Sequence, residues 1–201
     1  PNSRIGPGDT APINLKATNS GTSLIVDPVV VDPLPAALSV VPGVGGAAPY
    51  TITYNDLPSG YPQPTTVTYQ EIRGDIANPP VPGCTDVNRV CTLRWEFPGY
   101  QLPVGASIEI QFNVGLTPGT LAQTVISNVA GTSASNQSLT CKNPAASQVG
   151  APYGTGLYCL DGAEITSLSG NDFQGEKWIK ADPSLGFLNA TGQVVDGELI
   201  F

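Results

Sequence analysis

From Gly8 to Thr22 the chain reads GDTAPINLKATNSGT, with Ala11, Ile13, Leu15 and Ala17 falling on one side and Pro12, Asn14, Lys16 and Thr18 on the other. Successive side chains of an extended chain point to opposite faces, so this period of two predicts a strand with one buried face. Asn19 to Thr22 tolerates a tight reversal. Leu24 to Val31 then resumes β-branched character until Asp32-Pro33, which reads as its stop. The two segments are expected to pair as a hairpin.

Ala36–Val41 continues as a short strand, and the alternation recurs at Tyr50–Tyr54 and Thr66–Ile72. In Val90–Phe97 it sets Cys91, Leu93, Trp95 and Phe97 against Thr92, Arg94 and Glu96. Ser107–Val114 sends Ile108, Ile110 and Phe112 inward and Glu109 and Gln111 to water. Leu121–Ala134 sets Val125, Ser127, Val129 and Gly131 against Thr124, Ile126 and Asn128. No segment holds a 3.6-residue apolar stripe, so almost no helix is expected. Seven to eight short strands separated by Gly and Pro predict an all-β, antiparallel, immunoglobulin-like sandwich with a C-terminal β extension. Trp95, alternating with Leu93 and Phe97, reads as core rather than as a sugar-stacking surface.

Two blocks carry a family resemblance. Gly8, Asp9, Thr10, Asn19, Gly21 and Thr22, followed by Val29–Val31, Asp32, Pro33, Leu34, Pro35, Leu38 and Val40, resemble the opening of a conserved repeat domain of bacterial and archaeal cell-surface proteins, domain of unknown function eleven. Leu93–Ser133 is similar to that family's closing run, with one additional residue in Leu102-Pro-Val-Gly105. The resemblance spans roughly Gly8 to Ser133 and implies a secreted module of the cell surface.

Composition narrows the field. Gly and Pro number 23 and 20 of 201 residues, yet apolar residues reach 40%, which suits many short strands rather than disorder. The net charge of −8 and only 8 Lys and Arg would repel a phosphate backbone, so nucleic acid is not an expected partner. No stretch approaches the roughly twenty apolar residues of a membrane helix, and no leader precedes the first strand. Membrane insertion is not expected.

Cys84, Cys91, Cys141 and Cys159 form an even set in Gly/Pro-rich connections, as expected for two disulfides in an oxidising compartment. Local pairing, Cys84 with Cys91 and Cys141 with Cys159, is the expectation among the three pairings four cysteines allow. The C-x-x-C and His patterns of zinc sites are lacking.

Catalytic chemistry finds little footing. With no His, a Ser nucleophile lacks its usual base, and there is no G-x-S-x-G or S-x-x-K motif. Glu96, Glu109, Asp161 and Glu164 could pair for glycoside chemistry, but Glu96 and Glu109 hold outward strand positions. The chain is therefore read as a non-enzyme with no cofactor. Calcium is the lesser reading: Asp161, Gly162, Glu164, Asn171 and Asp172 cluster in sequence, without the EF-hand pattern. An intramolecular Lys–Asn isopeptide needs a buried Lys, Asn and carboxylate together, and Lys16 lies on the outward register. Asn136 and Asn189 head sequons open to glycosylation.

Three regions follow: a sandwich over 1–140, a disulfide-braced loop region over 141–175 and a C-terminal extension over 176–201. In the last, Lys177-Trp-Ile-Lys-Ala-Asp-Pro183 resembles the leader strand of the family's repeats, displaced to the far end. A sheet lacking its leader leaves an open edge. The extension either folds back or is donated to a neighbour, joining copies head to tail, with Trp178, Ile179, Val194, Val195, Leu199, Ile200 and Phe201 as anchors. The expected role is a structural element at the extracellular surface, a fibre subunit, stalk repeat or surface-layer element, contacting itself or neighbouring surface domains. The alternative is an adhesin using the Gly43–Pro49, Asp56–Pro64 and Asp75–Asp86 loops at one end to bind a host protein or glycan.

Overall fold

Each alternating segment becomes a strand because only extended backbone puts every second side chain on one face. The computed structural model describes residues 3–81, 83–135 and 158–168. These lie in the first of two compact units, Pro1–Ser169 and Gly170–Phe201. Among the described residues the strands are β1 (Ser3–Ile5), β2 (Thr10–Thr18), β3 (Ile25–Val26), β4 (Val29–Pro33), β5 (Leu38–Val40), β6 (Tyr50–Asn55), β7 (Thr68–Arg73), β8 (Val90–Glu96), β9 (Gln101–Leu102), β10 (Ser107–Leu116), β11 (Val125–Ser133) and β12 (Cys159–Ser167). One 3₁₀ turn, Val44–Gly46, is their helical content.

The protein is an all-β sandwich of the immunoglobulin-like kind. One sheet runs β1-β12-β11-β4-β8-β7, and the other runs β2-β10 with β5 and β6 on the far side of β10; β3 and β9 form a short ribbon. Among the described residues all pairings are antiparallel except β1 with β12, which run parallel, Ser3 opposite Ile165 and Ile5 opposite Ser167. Every segment read as a strand between Gly8 and Ala134 is extended, with Leu24–Val31 divided between β3 and β4, and the β extension read over 176–201 lies outside the described residues. β1, β9 and β12 lie beyond them.

The expected hairpin does not form. β2 pairs with β10 over its whole length, whereas β4 lies in the opposite sheet between β11 and β8. The turn at Asn19–Ser23 therefore carries the chain across the sandwich. Asn19, 1% exposed, fixes the crossing: Nδ2 donates to Ser23 O and Leu102 O, both at 2.9 Å, and Oδ1 accepts from Gly21 N at 3.1 Å. Its backbone N–H donates to Ala106 O at 2.9 Å, extending the β2–β10 ladder. A second corner follows at Asp27, whose φ of 48° turns the chain from the ribbon into β4.

Trp95 is fully buried, as its alternation predicts, with Tyr50, Tyr69 and Phe112 packed on it at ring distances of 5.5–5.7 Å. Phe97 and Tyr100 take Tyr54 between them in the same layer. Leu57, Tyr61 and Val67, from the connection between β6 and β7, pack against this core and close that side of the sandwich. Tyr61 Oη is anchored on Gln101 O at 2.8 Å.

Candidate functional site

The strongest chemistry in the fold lies inside it. Asp32, read from sequence as the end of a strand, sits within β4 and is wholly buried. Its neighbour on the interior face is Asn128 of β11, 5% exposed, whose Nδ2 donates to Asp32 Oδ2 at 3.1 Å. Asp32 Oδ1 and Asn128 Oδ1 are both buried without a hydrogen-bond partner. Two acceptors thus face an interior that lacks one donor. Burial pushes the Asp32 carboxyl from its ordinary 3.8 up to about 6, against the opposing pull of the Asn128 bond. Strand β11 accordingly turns Ile126 and Asn128 inward and leaves Val125 exposed.

This pair supplies two of the three groups an isopeptide needs. Lys16, on the solvent face of β2 opposite Glu109, does not bring the third. Glu109 itself accepts from Asn14 Nδ2 at 2.6 Å and Asn55 Nδ2 at 3.0 Å, which ties the outer faces of β2, β10 and β6 together. Glu96 lies on the outer face of the other sheet, 2.6 Å from Arg94 Nε. The two glutamates are thus on opposite faces of the sandwich and cannot flank one bond. Asp161 and Glu164 differ in strand parity and project from opposite faces of β12. Among the described residues no group of three acidic, Cys or His side chains could hold a metal ion. Asn171 and Asp172 lie outside the described residues.

Cys84 and Cys91 are disulfide-bonded, closing the connection between β7 and β8. Asx turns at Asp75 and Asp86 shape it: Asp75 Oδ1 accepts from Ala77 N at 2.7 Å and Asp86 Oδ1 from Asn88 N at 2.9 Å. Arg89 then donates to Pro35 O at 2.8 Å, docking this connection on the β4–β5 corner. Cys159 is also disulfide-bonded. Cys141, Asn136, Asn189, Trp178, Ile179, Val194, Val195, Leu199, Ile200 and Phe201 lie outside the described residues.

The three loops weighed for adhesion do not share one end. Gly43–Pro49 precedes β6 and Asp56–Pro64 follows it, so a strand length separates them. Asp27, which the sequence reading passed over, is the better-connected loop residue: Oδ1 accepts from Gly99 N at 2.7 Å and Oδ2 from Ser135 Oγ at 2.9 Å. An Asp before Pro and after two β-branched residues signals a corner, though not its distant partners.

No family model and no curated protein matches the chain. Among solved structures it is similar to the RrgA Jo.In complex, at 16% identity and TM-score 0.44 over 64% of each chain. It is also similar to the adhesive tip pilin GBS104 from Group B Streptococcus agalactiae, at 18% identity and TM-score 0.36, over 55% of this chain and 19% of that one. A third similarity is to AvmM, which catalyses macrocyclization in alchivemycin A biosynthesis, at 9% identity and TM-score 0.37 over 83% and 84%. The chain spans less than two thirds of the first two structures' length. Likenesses this distant assign neither family nor chemistry.

Proposed function

We propose that the chain is a structural building block of a prokaryotic cell surface, a fibre subunit, stalk repeat or surface-layer element, which joins copies of itself head to tail by strand addition. The observation that carries this reading is where the family-like residues fall. The first block builds β2, β4 and β5, and the second builds β8 through β11, so together they supply the centre of both sheets. The disulfide at Cys84–Cys91 fits an extracellular, oxidising setting. The polar side chains of Asn19, Asp27 and Glu109 each tie one element to another. On this reading the protein works by holding load and shape, with no catalysis and no cofactor.

Negative-stain microscopy of the purified protein tests the proposal. Regular filaments are expected from the intact chain, and their loss on deleting Glu176–Phe201 while the sandwich stays folded. A chain that remains monomeric by light scattering at high concentration rejects polymerisation. Discrete particles that capture a host ligand would replace this reading with the adhesin.

A further inference from the structure

The two sheets differ in width. Among the described residues the β1–β7 sheet is six strands across, whereas the other is three, because β5 and β6 share one side of β10 end to end. The narrow sheet therefore stops at β2, a nine-residue strand with no partner on its outer side among the described residues. Asn19 N donates to Ala106 O, and the register continues without a break to Thr10. Odd-numbered residues of β2 thus turn their N–H and C=O groups to β10, and even-numbered ones turn them outward. Pro12, which has no N–H, falls in the outward set, where a ladder loses nothing. Asn14, Lys16 and Thr18 present three outward donors.

Side chains report the same gap. On the inward face of β2, Ile13, Leu15 and Ala17 are only partly buried. Their partners across the ladder, Phe112, Ile110 and Ile108, are 0–2% exposed. In the other sheet, Ala163 of β12 lies opposite buried Asn128, on the face that sends Ile165 into the core, yet it is exposed. Asp161, two residues along on that face, is exposed as well. One strand added beside β2 would add to the burial of Ile13 and Leu15.

We propose that this open edge is the acceptor for Val194–Phe201 of a second copy of the chain, an inference that rests on the building-block reading above. The eight residues VVDGELIF are one fewer than the nine of β2. With Val195, Leu199 and Phe201 turned inward beside Ile13 and Leu15, Asp196 and Glu198 fall on the outer face, the face of Lys16. Lys16 is the basic residue of this strand, and a lysine on an edge discourages indiscriminate pairing. An acidic incoming strand reverses that penalty. Pro12 ends the bonded run on one side and so sets the register, leaving Asn14 to Thr18 to be paired.

Residue-resolved amide hydrogen exchange on the intact chain, at low and high protein concentration, tests this. The N–H groups of Asn14, Lys16 and Thr18 are expected to exchange fast when dilute and to slow at least tenfold on assembly, while those of Ile13, Leu15 and Ala17 are slow throughout. Lys16→Glu is expected to weaken self-association about tenfold, and the further changes Asp196→Lys and Glu198→Lys to restore it. Assembly that leaves the even-numbered amides fast overturns the β2 assignment and leaves the building-block reading standing. Protection already complete in the dilute monomer means that the edge is filled within one copy, which overturns donation. Concentration-dependent protection that survives Val195→Asp with Leu199→Asp means that another segment pairs there, and overturns the named strand. No association at any concentration removes both readings.

Discussion

Replacing Asp32 by Asn is expected to stabilise the protein at neutral pH and to erase part of its acid response. Asp32 is fully buried and its carboxyl is pushed up from 3.8 to about 6 by loss of hydration. A carboxyl that binds its proton more tightly when folded favours the folded state at low pH. That contribution is complete below about pH 3.8 and is lost as pH rises through about 6, where the carboxylate must ionise in an apolar interior. A rise of about two pKa units corresponds to about 3 kcal/mol, at about 1.4 kcal/mol per unit. The geometry gives the reason: a proton on Asp32 supplies the donor that the two unpartnered oxygens, Asp32 Oδ1 and Asn128 Oδ1, lack. The carboxamide of Asp32→Asn keeps shape and supplies N–H donors at every pH. Urea unfolding from pH 4 to pH 8 reads the effect. The variant should match the parent near pH 4 and exceed it by about 2–3 kcal/mol at pH 8, roughly 4–12 °C in Tm. A variant with the parent's slope between pH 4 and pH 6.5, or one less stable at pH 8, refutes the account.

Two further outcomes follow from the crossing and from the braced loop. Asn19→Asp should cost more than Asn19→Ala, because a carboxylate cannot donate to Leu102 O and Ser23 O; chemical denaturation should show about 2–4 kcal/mol lost, and equal costs would discount the two donated bonds. Cys84→Ala with Cys91→Ala should lower stability by about 2–3 kcal/mol through the freed seven-residue separation, read by chemical denaturation under non-reducing conditions, and an unchanged midpoint would discount the brace.

Where one face of a segment is buried and the other wet, the sequence displays the strand openly. β2, β8 and β10 are legible for that reason, and so is the core position of Trp95. The hairpin reading failed because turn chemistry is local while pairing is not: Asn19–Ser23 can reverse a chain or carry it between sheets, and β10, over ninety residues on, captures β2. Asp32 misled in the same way. Asp-Pro is turn chemistry in isolation, yet the burial of Asp32 depends on Asn128, 96 residues away. The partly buried row of Ile13, Leu15 and Ala17 was invisible for another reason, since alternation tells which face is inward but not whether anything lies across from it.

If the chain serves as the proposed building block, the parallel pairing of β1 with β12 sets how it would carry tension. Force that enters ahead of Ser3 and leaves beyond Ser167 pulls the two strands lengthwise in opposite directions, because parallel neighbours present their starts at the same end. Their hydrogen bonds, with Leu168 N to Ile5 O at 2.8 Å continuing the contact, are then loaded together in shear rather than peeled one at a time. Rupture under such a load would begin at the clasp between β1 and β12, and its strength would be set by a few bonds acting at once.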